Sequence, residues 1–273
     1  IQMIISPASI SPFSLPLVSG GGAPPAFEFG NALAFDGVND YVNTDTNSFA
    51  NLFYNANGQY TVSFWIKPNS LVGAPVLFSS SNISGKFFFE LGATAGTLYW
   101  GASSSYRTYT SVGFSVGNWN HFMITKTGNG NSGNLYCNGV LELSYTGSLV
   151  DVANVNNQLY FGQYATGGAK LNGVFDEVAV YNGTTATSQD AIDLYNSGNG
   201  ALASDVIASP TAYYRMNEAD GATTLTDETG NYNGTLNNFS TPPAYFVPHT
   251  PAFSFGNALL FDGVNDYVDF TPI

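Results

Sequence analysis

The sequence predicts an all-β protein, a two-sheet antiparallel β-sandwich with one short helix. Three observations lead there. Aromatic residues make up 15% of the chain, 21 Phe and 17 Tyr among them, and with Val and Ile they favour the pleated, half-buried surface of a sheet. Short apolar stretches alternate with turn residues along most of the length, which is the rhythm of an antiparallel sandwich. Only 9% of residues are charged, against about 25% in an ordinary soluble domain, so Gly, Asn, Ser and Thr must keep the surface wet.

Residues 1–24 carry no charge and are broken by Pro7, Pro12, Pro16 and Gly20-Gly21-Gly22. Proline keeps such a segment out of a central ladder, so it reads as an extended arm or as a disordered tail. Strands are expected at 59–69, 75–81, 86–92, 97–101, 119–128, 134–143, 158–162 and 174–183, with another at 212–218. Asn138-Gly139 is the strongest hairpin signal, because a type I′ turn needs positive φ at both centres. Only 187–198 (TSQDAIDLYNSG) reads as helix: Thr187 or Ser188 caps it, Ala191, Leu194 and Tyr195 share a face, and Gly198 ends it.

An internal repeat organises the chain. Residues 25–42 (PAFEFGNALAFDGVNDYV) recur at 251–268 (PAFSFGNALLFDGVNDYV), identical at sixteen of eighteen positions. The offset of 226 residues is that of a whole domain rather than a solenoid unit. We therefore divide the chain into an arm (1–24), one domain (25–250) and the opening of a second repeat (251–273).

The formal net charge of −13 argues against nucleic acid or anionic membrane as partner, and no run of eighteen apolar residues suggests a membrane span. Cys137 is the only cysteine, so an intrachain disulfide and a cysteine-based zinc site are both excluded.

FDGVNDYV, YTVSFWIKP, GNWNHFMITKTG, LYCNGV and GVFDEVAVYN before AIDLY resemble, in that order, the laminin G-like, concanavalin A-like jelly-roll family. The segment 212–236 also resembles the lead-in that precedes the FDG strand in many members. The resemblance implies a concanavalin A-like jelly roll. It leaves function open, since the fold hosts lectins, adhesins, structural modules and glycosidases.

A glucanase of this fold needs an E-x-D-x-x-E strand, which projects nucleophile and acid from one face. The nearest match is Glu218-Ala219-Asp220, with Thr223 where the second glutamate belongs, so no enzyme is expected. His121 alternates with apolar residues and reads as a packed or rim residue. Many relatives of this fold hold a structural calcium ion, and for the site that the resemblance implies, Asp36, Asp40 and Asp176 are the candidate ligands. Asp36 and Asp40 sit in one oxygen-rich turn, and Asp176, sharing a face by alternation with Val174, Val178 and Val180, needs a partner. An Asx-turn at Asp36 and a hydrogen-bonded carboxylate at Asp176 are the alternatives. For glycan binding the candidates are Trp100, Tyr106 and Arg107, beside Tyr99 and Tyr109, with ordinary sheet packing as the alternative.

The expected role is a non-catalytic structural or adhesive module, extracellular or on a virion surface as a decoration or fibre protein. The alternative is a carbohydrate-binding, lectin-like module of a bacterial surface adhesin. Expected partners are copies of the chain, other proteins of a surface assembly, or a glycan. The apolar Ile4, Ile5 and Phe13 of the arm, and Leu259, Phe261 and Val268 of the terminal segment, are expected to pack on a sheet edge or a neighbouring subunit.

Overall fold

The computed structural model describes residues 27–45, 47–54, 58–80, 87–102, 105–110, 112–128, 132–146, 157–240 and 244–250, with only the backbone of residues 50, 102 and 105–107. The arm, the second repeat and the six assembly candidates Ile4, Ile5, Phe13, Leu259, Phe261 and Val268 lie outside the described residues.

Two antiparallel sheets form the sandwich. The first is built from β1 (Asn31–Asp36), β3 (Tyr60–Pro68), β8 (Asn120–Thr127), β9 (Ser132–Cys137), β10 (Val140–Tyr145), β12 (Asn172–Asn182), β13 (Ala212–Tyr214) and β16 (Phe246–Pro248). Its order is β10-β9-β8-β3-β12-β1-β16, with β13 also paired to β12. The second contains β2 (Tyr41–Thr44), β4 (Val76–Ser80), β5 (Phe87–Leu91), β6 (Leu98–Ala102), β7 (Ser105–Tyr109), β11 (Leu159–Phe161), β14 (Thr224–Leu225) and β15 (Gly234–Asn237). It runs β14-β15-β2-β11-β4-β5-β6-β7. The fold class matches the sequence prediction.

The phenylalanines fill the space between the sheets. Phe64 of β3 meets Phe78 of the opposite sheet edge-on at 4.9 Å and stacks on Phe175 of β12 at 5.4 Å. Rings that interlock in this way add specific geometry to the area they bury. Asn138 and Gly139 take φ of 51° and 76° between Cys137 and Val140, the two-residue turn that the sequence calls for.

The predicted helix is α2 (Ser188–Tyr195), with α1 (Ser48–Phe53) and α3 (Ala203–Val206) as further short helices. In α2, Thr187 is the cap: its Oγ1 accepts the Asp190 N–H at 3.2 Å, and Asp190 Oδ2 accepts the Thr187 N–H at 2.7 Å. Ala191 and Leu194 are buried, and with Ala203 of α3 they cover Met123, Tyr136 and Tyr181 on the outer face of the first sheet. The single expected helix is thus an undercount. SFANLF buries Phe49, Leu52 and Phe53 at i, i+3, i+4 spacing, but one and a half turns are too short to register as a period.

Candidate functional site

The outer face of the second sheet lacks such a helical cover among the described residues. On β2, Val42 and Thr44 point inward while Tyr41 and Asn43 point out, half-exposed. On β11, Leu159 and Phe161 are buried and Tyr160 is outward. Tyr160 pairs with Asn43, and its ring lies 6.0 Å from that of Tyr41, with the planes 23° apart. Polar groups ring the two tyrosines. Asn237 Nδ2 donates to Asn43 Oδ1 at 2.7 Å, and Tyr160 donates its hydroxyl to Gln158 Oε1 at 2.9 Å. Lys170 Nζ stands 5.8 Å from the Tyr41 ring centroid, within cation–π reach, and donates to Gln163 Oε1. Further along the face, Tyr164 donates its hydroxyl to Glu90, opposite Tyr99 on β6.

Burial, and then the Tyr41 hydroxyl beside it, pushes Tyr160 above its ordinary value. Burial pulls Lys170 below its own, against Asp36 and Asp40, which favour its charge. Lys170 therefore links the tyrosines electrostatically to the Asp36–Asp40 turn.

In that turn Asp36 Oδ1 accepts the N–H groups of Val38 (2.7 Å) and Asn39 (3.1 Å), an Asx-turn, and Asp40 Oδ2 accepts the Asp36 N–H at 3.0 Å. Burial alone would raise Asp36, but these backbone donors outweigh it and hold it low. Burial and the neighbouring Asp36 charge push Asp40 up to about 6. Gly37 must be glycine: its φ is 78°, and a Cβ would come within 2.8 Å of Asn172 Cβ. The turn borders a cleft of about 260 Å³ lined by Ala34, Asp36, Asp40, Asn69, Asn172 and Ser240, among others.

Asp176 does not join Asp36 and Asp40, and the expected alternation fails for a local reason. Glu177 has φ of 50°, and the β12–β3 register shifts between Asp176 and Ala179. This bulge reverses the facing. Val178 and Val180 enter the core with Phe175, while Asp176 shares the outer face with Val174 only. Its partner there is His249, Nδ1 to Oδ2 at 2.6 Å. Burial drives Asp176 well above the carboxylate range and His249 down to about 3. Glu177, raised to about 7 by burial, accepts from Tyr213 and Arg215. Among the described residues, no three His, Cys, Asp or Glu side chains gather at metal-binding distance.

Trp100 is a correction. It is fully buried, edge-on to Tyr145 at 5.0 Å, because Leu98 and Trp100 take the inward positions of β6 and Tyr99 the outward one. The side chains of Tyr106 and Arg107 lie outside the described residues; their backbones pair with Gly101 and Trp100. The carboxylates nearest a glucanase motif hold turns instead: Glu218 accepts the Thr226 N–H (2.6 Å), and Asp220 accepts those of Tyr245 (3.0 Å) and Phe246 (2.9 Å). His121 is buried and hydrogen-bonded through Nε2 to Ser63 Oγ at 2.8 Å. Sequence reasoning missed Tyr41, Tyr160 and Lys170. The alternation in YVNT and LYF was a legible signal for the first two, but their meeting depends on β2 and β11 being neighbours.

A family model of the concanavalin A-like lectin/glucanases superfamily, of laminin G type, matches residues 36–193. The chain belongs to that superfamily. No curated protein sequence matches it. Among solved structures, a Bacteroides ovatus protein assigned to carbohydrate binding is similar over 82% of this chain, at 15% identity and a TM-score of 0.59. This chain spans 62% of that structure's length. Domain 4 of AbnA, an extracellular arabinanase of Geobacillus stearothermophilus bound to arabinotriose, matches with 22% identity, a TM-score of 0.49 and coverage of 64% of this chain and 81% of that domain. At these identities the likeness is one of fold.

Proposed function

We propose that the domain is a non-catalytic carbohydrate-binding module of an extracellular or surface protein, and that its glycan lies on the outer face of the second sheet. The observation that carries this is the Tyr41–Tyr160 pair, half-exposed and flanked by Asn43, Asn237 and Lys170. Apolar ring faces take the C–H faces of a sugar while amides and ammonium take its hydroxyls, the mixture a polar ligand with apolar faces needs. The superfamily and the fold likeness to a carbohydrate-binding protein support the same reading. They favour the lectin-like alternative over the structural virion component first expected, for which the fold offers no specific feature.

A calcium ion belongs to this proposal at the cleft beside the sheet. Asp36 and Asp40, with the side-chain oxygens of Asn69, Asn172 and Ser240, offer the hard oxygen donors that calcium prefers. Burial, and after it the Asp36 charge, raise Asp40, and a cation beside the two carboxylates would favour its ionised form. Asp176 takes no part. A glycan array probed with the labelled chain, with and without calcium, tests both statements. Selective binding supports the module, and silence across neutral and acidic glycans defeats it.

A further inference from the structure

The repeat gains a structural meaning once β1 and β2 are located. Residues 25–42 include β1 and the start of β2, and residues 251–268 repeat them with two changes, Glu28 to Ser254 and Ala34 to Leu260. We propose that residues 255–268 are a replacement for the segment 29–42, which carries β1 in the first sheet and the start of β2 in the second, able to enter the same slot in the same domain.

Each demand of that slot is met by the second copy. Leu33, Phe35 and Val42 lie in the core at 0%, 2% and 0% exposure, and their counterparts are Leu259, Phe261 and Val268. Gly30 has φ of 78°, and a Cβ there would lie 2.1 Å from Asn217 Oδ1; its counterpart is Gly256. The restriction at Gly37 is met by Gly263, and the Asx-turn of Asp36 by Asp262. The one change inside β1 falls where there is room, because Ala34 lines the 260 Å³ cleft and Leu260 would extend into it.

Connectivity favours replacement within one chain. β16 runs antiparallel to β1 with Pro248 beside Asn31, and the His249 N–H donates to the Gly30 carbonyl at 3.0 Å. The chain thus leaves β16 at the point where β1 begins. Residues 249–256 then suffice as the loop of a hairpin from β16 into Asn257, the counterpart of Asn31. Exchange would bring Tyr267, Asp262 and Asp266 in for Tyr41, Asp36 and Asp40, and Asp269 in for Asn43, so the proposed binding face would gain a carboxylate. The inference itself does not depend on glycan binding.

The full chain carrying Phe35→Asp, Phe261→Asp or both tests this by thermal melting and hydrogen exchange. A charge at either core position should exclude that copy from the slot. The expected result is that Phe35→Asp keeps a cooperative melt within a few degrees of the parent, with amide protection moved from 31–36 to 257–262. Phe261→Asp should melt like the parent, and the double variant should lose the cooperative transition. The inference is overturned if Phe35→Asp alone unfolds as fully as the double variant, or if the double variant melts like Phe35→Asp. A rescue seen only as a concentration-dependent dimer overturns replacement within one chain.

Discussion

His249 Nδ1 lies 2.6 Å from Asp176 Oδ2, and this bond fastens the residue after β16 to the middle of β12. The imidazole is held between Phe29 and Trp119, with ring centroids 3.5 and 3.6 Å away. A carboxyl on a sheet face is thereby satisfied by a residue 73 positions away in the chain. His249→Ala should destabilise the fold by about 3 kcal/mol, since it empties the space between two rings and strands a buried carboxyl. Chemical denaturation measures this, and a loss under 1 kcal/mol would place the anchor of β16 elsewhere.

His121 gives a pH dependence of known sign. Burial lowers it to about 3, below the ordinary value of about 6.5 of an unfolded chain. The unfolded state therefore takes up the proton first as pH falls, and the neutral-histidine stability present above pH 6.5 is lost below it by about 1.4 kcal/mol per pH unit. Asp40 and Glu177, raised to about 6 and 7, act oppositely, gaining folded stability as pH falls, while His249, lowered to about 3, acts in the same direction as His121. The comparison with His121→Asn isolates the effect. The variant should be less stable than the parent at pH 7.5, and the gap should narrow by pH 4.5; a constant gap contradicts it.

Trp100→Ala should cost about 3 to 5 kcal/mol, as large-to-small core changes do, because the ring is fully buried in the sandwich. Per folded molecule, glycan binding should be unchanged. A selective loss of binding with an unchanged melt would return Trp100 to the binding face.

Asp40→Asn should raise stability above pH 6 in the absence of calcium, because burial and the Asp36 charge make ionised Asp40 costly. The same substitution should abolish any rise in melting temperature on adding calcium. Thermal melts with calcium and with chelator read both effects, and a calcium shift that survives in Asp40→Asn removes the cation from this cleft.

The strands between 59 and 183 and the Asn138-Gly139 turn are legible because they rest on local patterns, as LYF does; YVNT alternates in the same way but is not among the expected strands. What escaped was non-local or masked by an exception. Nothing in VFDEVAV announces that Glu177 adopts a positive φ, so Asp176 was assigned to a face shared with Val178 and Val180. Trp100 was drawn toward the surface by the polar residues around it, although alternation from Leu98 turns it inward. Tyr41 and Tyr160 are 119 positions apart, and only the pairing of β2 with β11 brings them together.

The most direct test of the account is a calorimetric titration of the parent chain and of Tyr41→Ala/Tyr160→Ala with a glycan selected on the array. The account predicts at least a tenfold loss of affinity, about 1.4 kcal/mol or more, with the melting temperature nearly unchanged because both rings are half-exposed. Parent-like affinity in the double variant would contradict it.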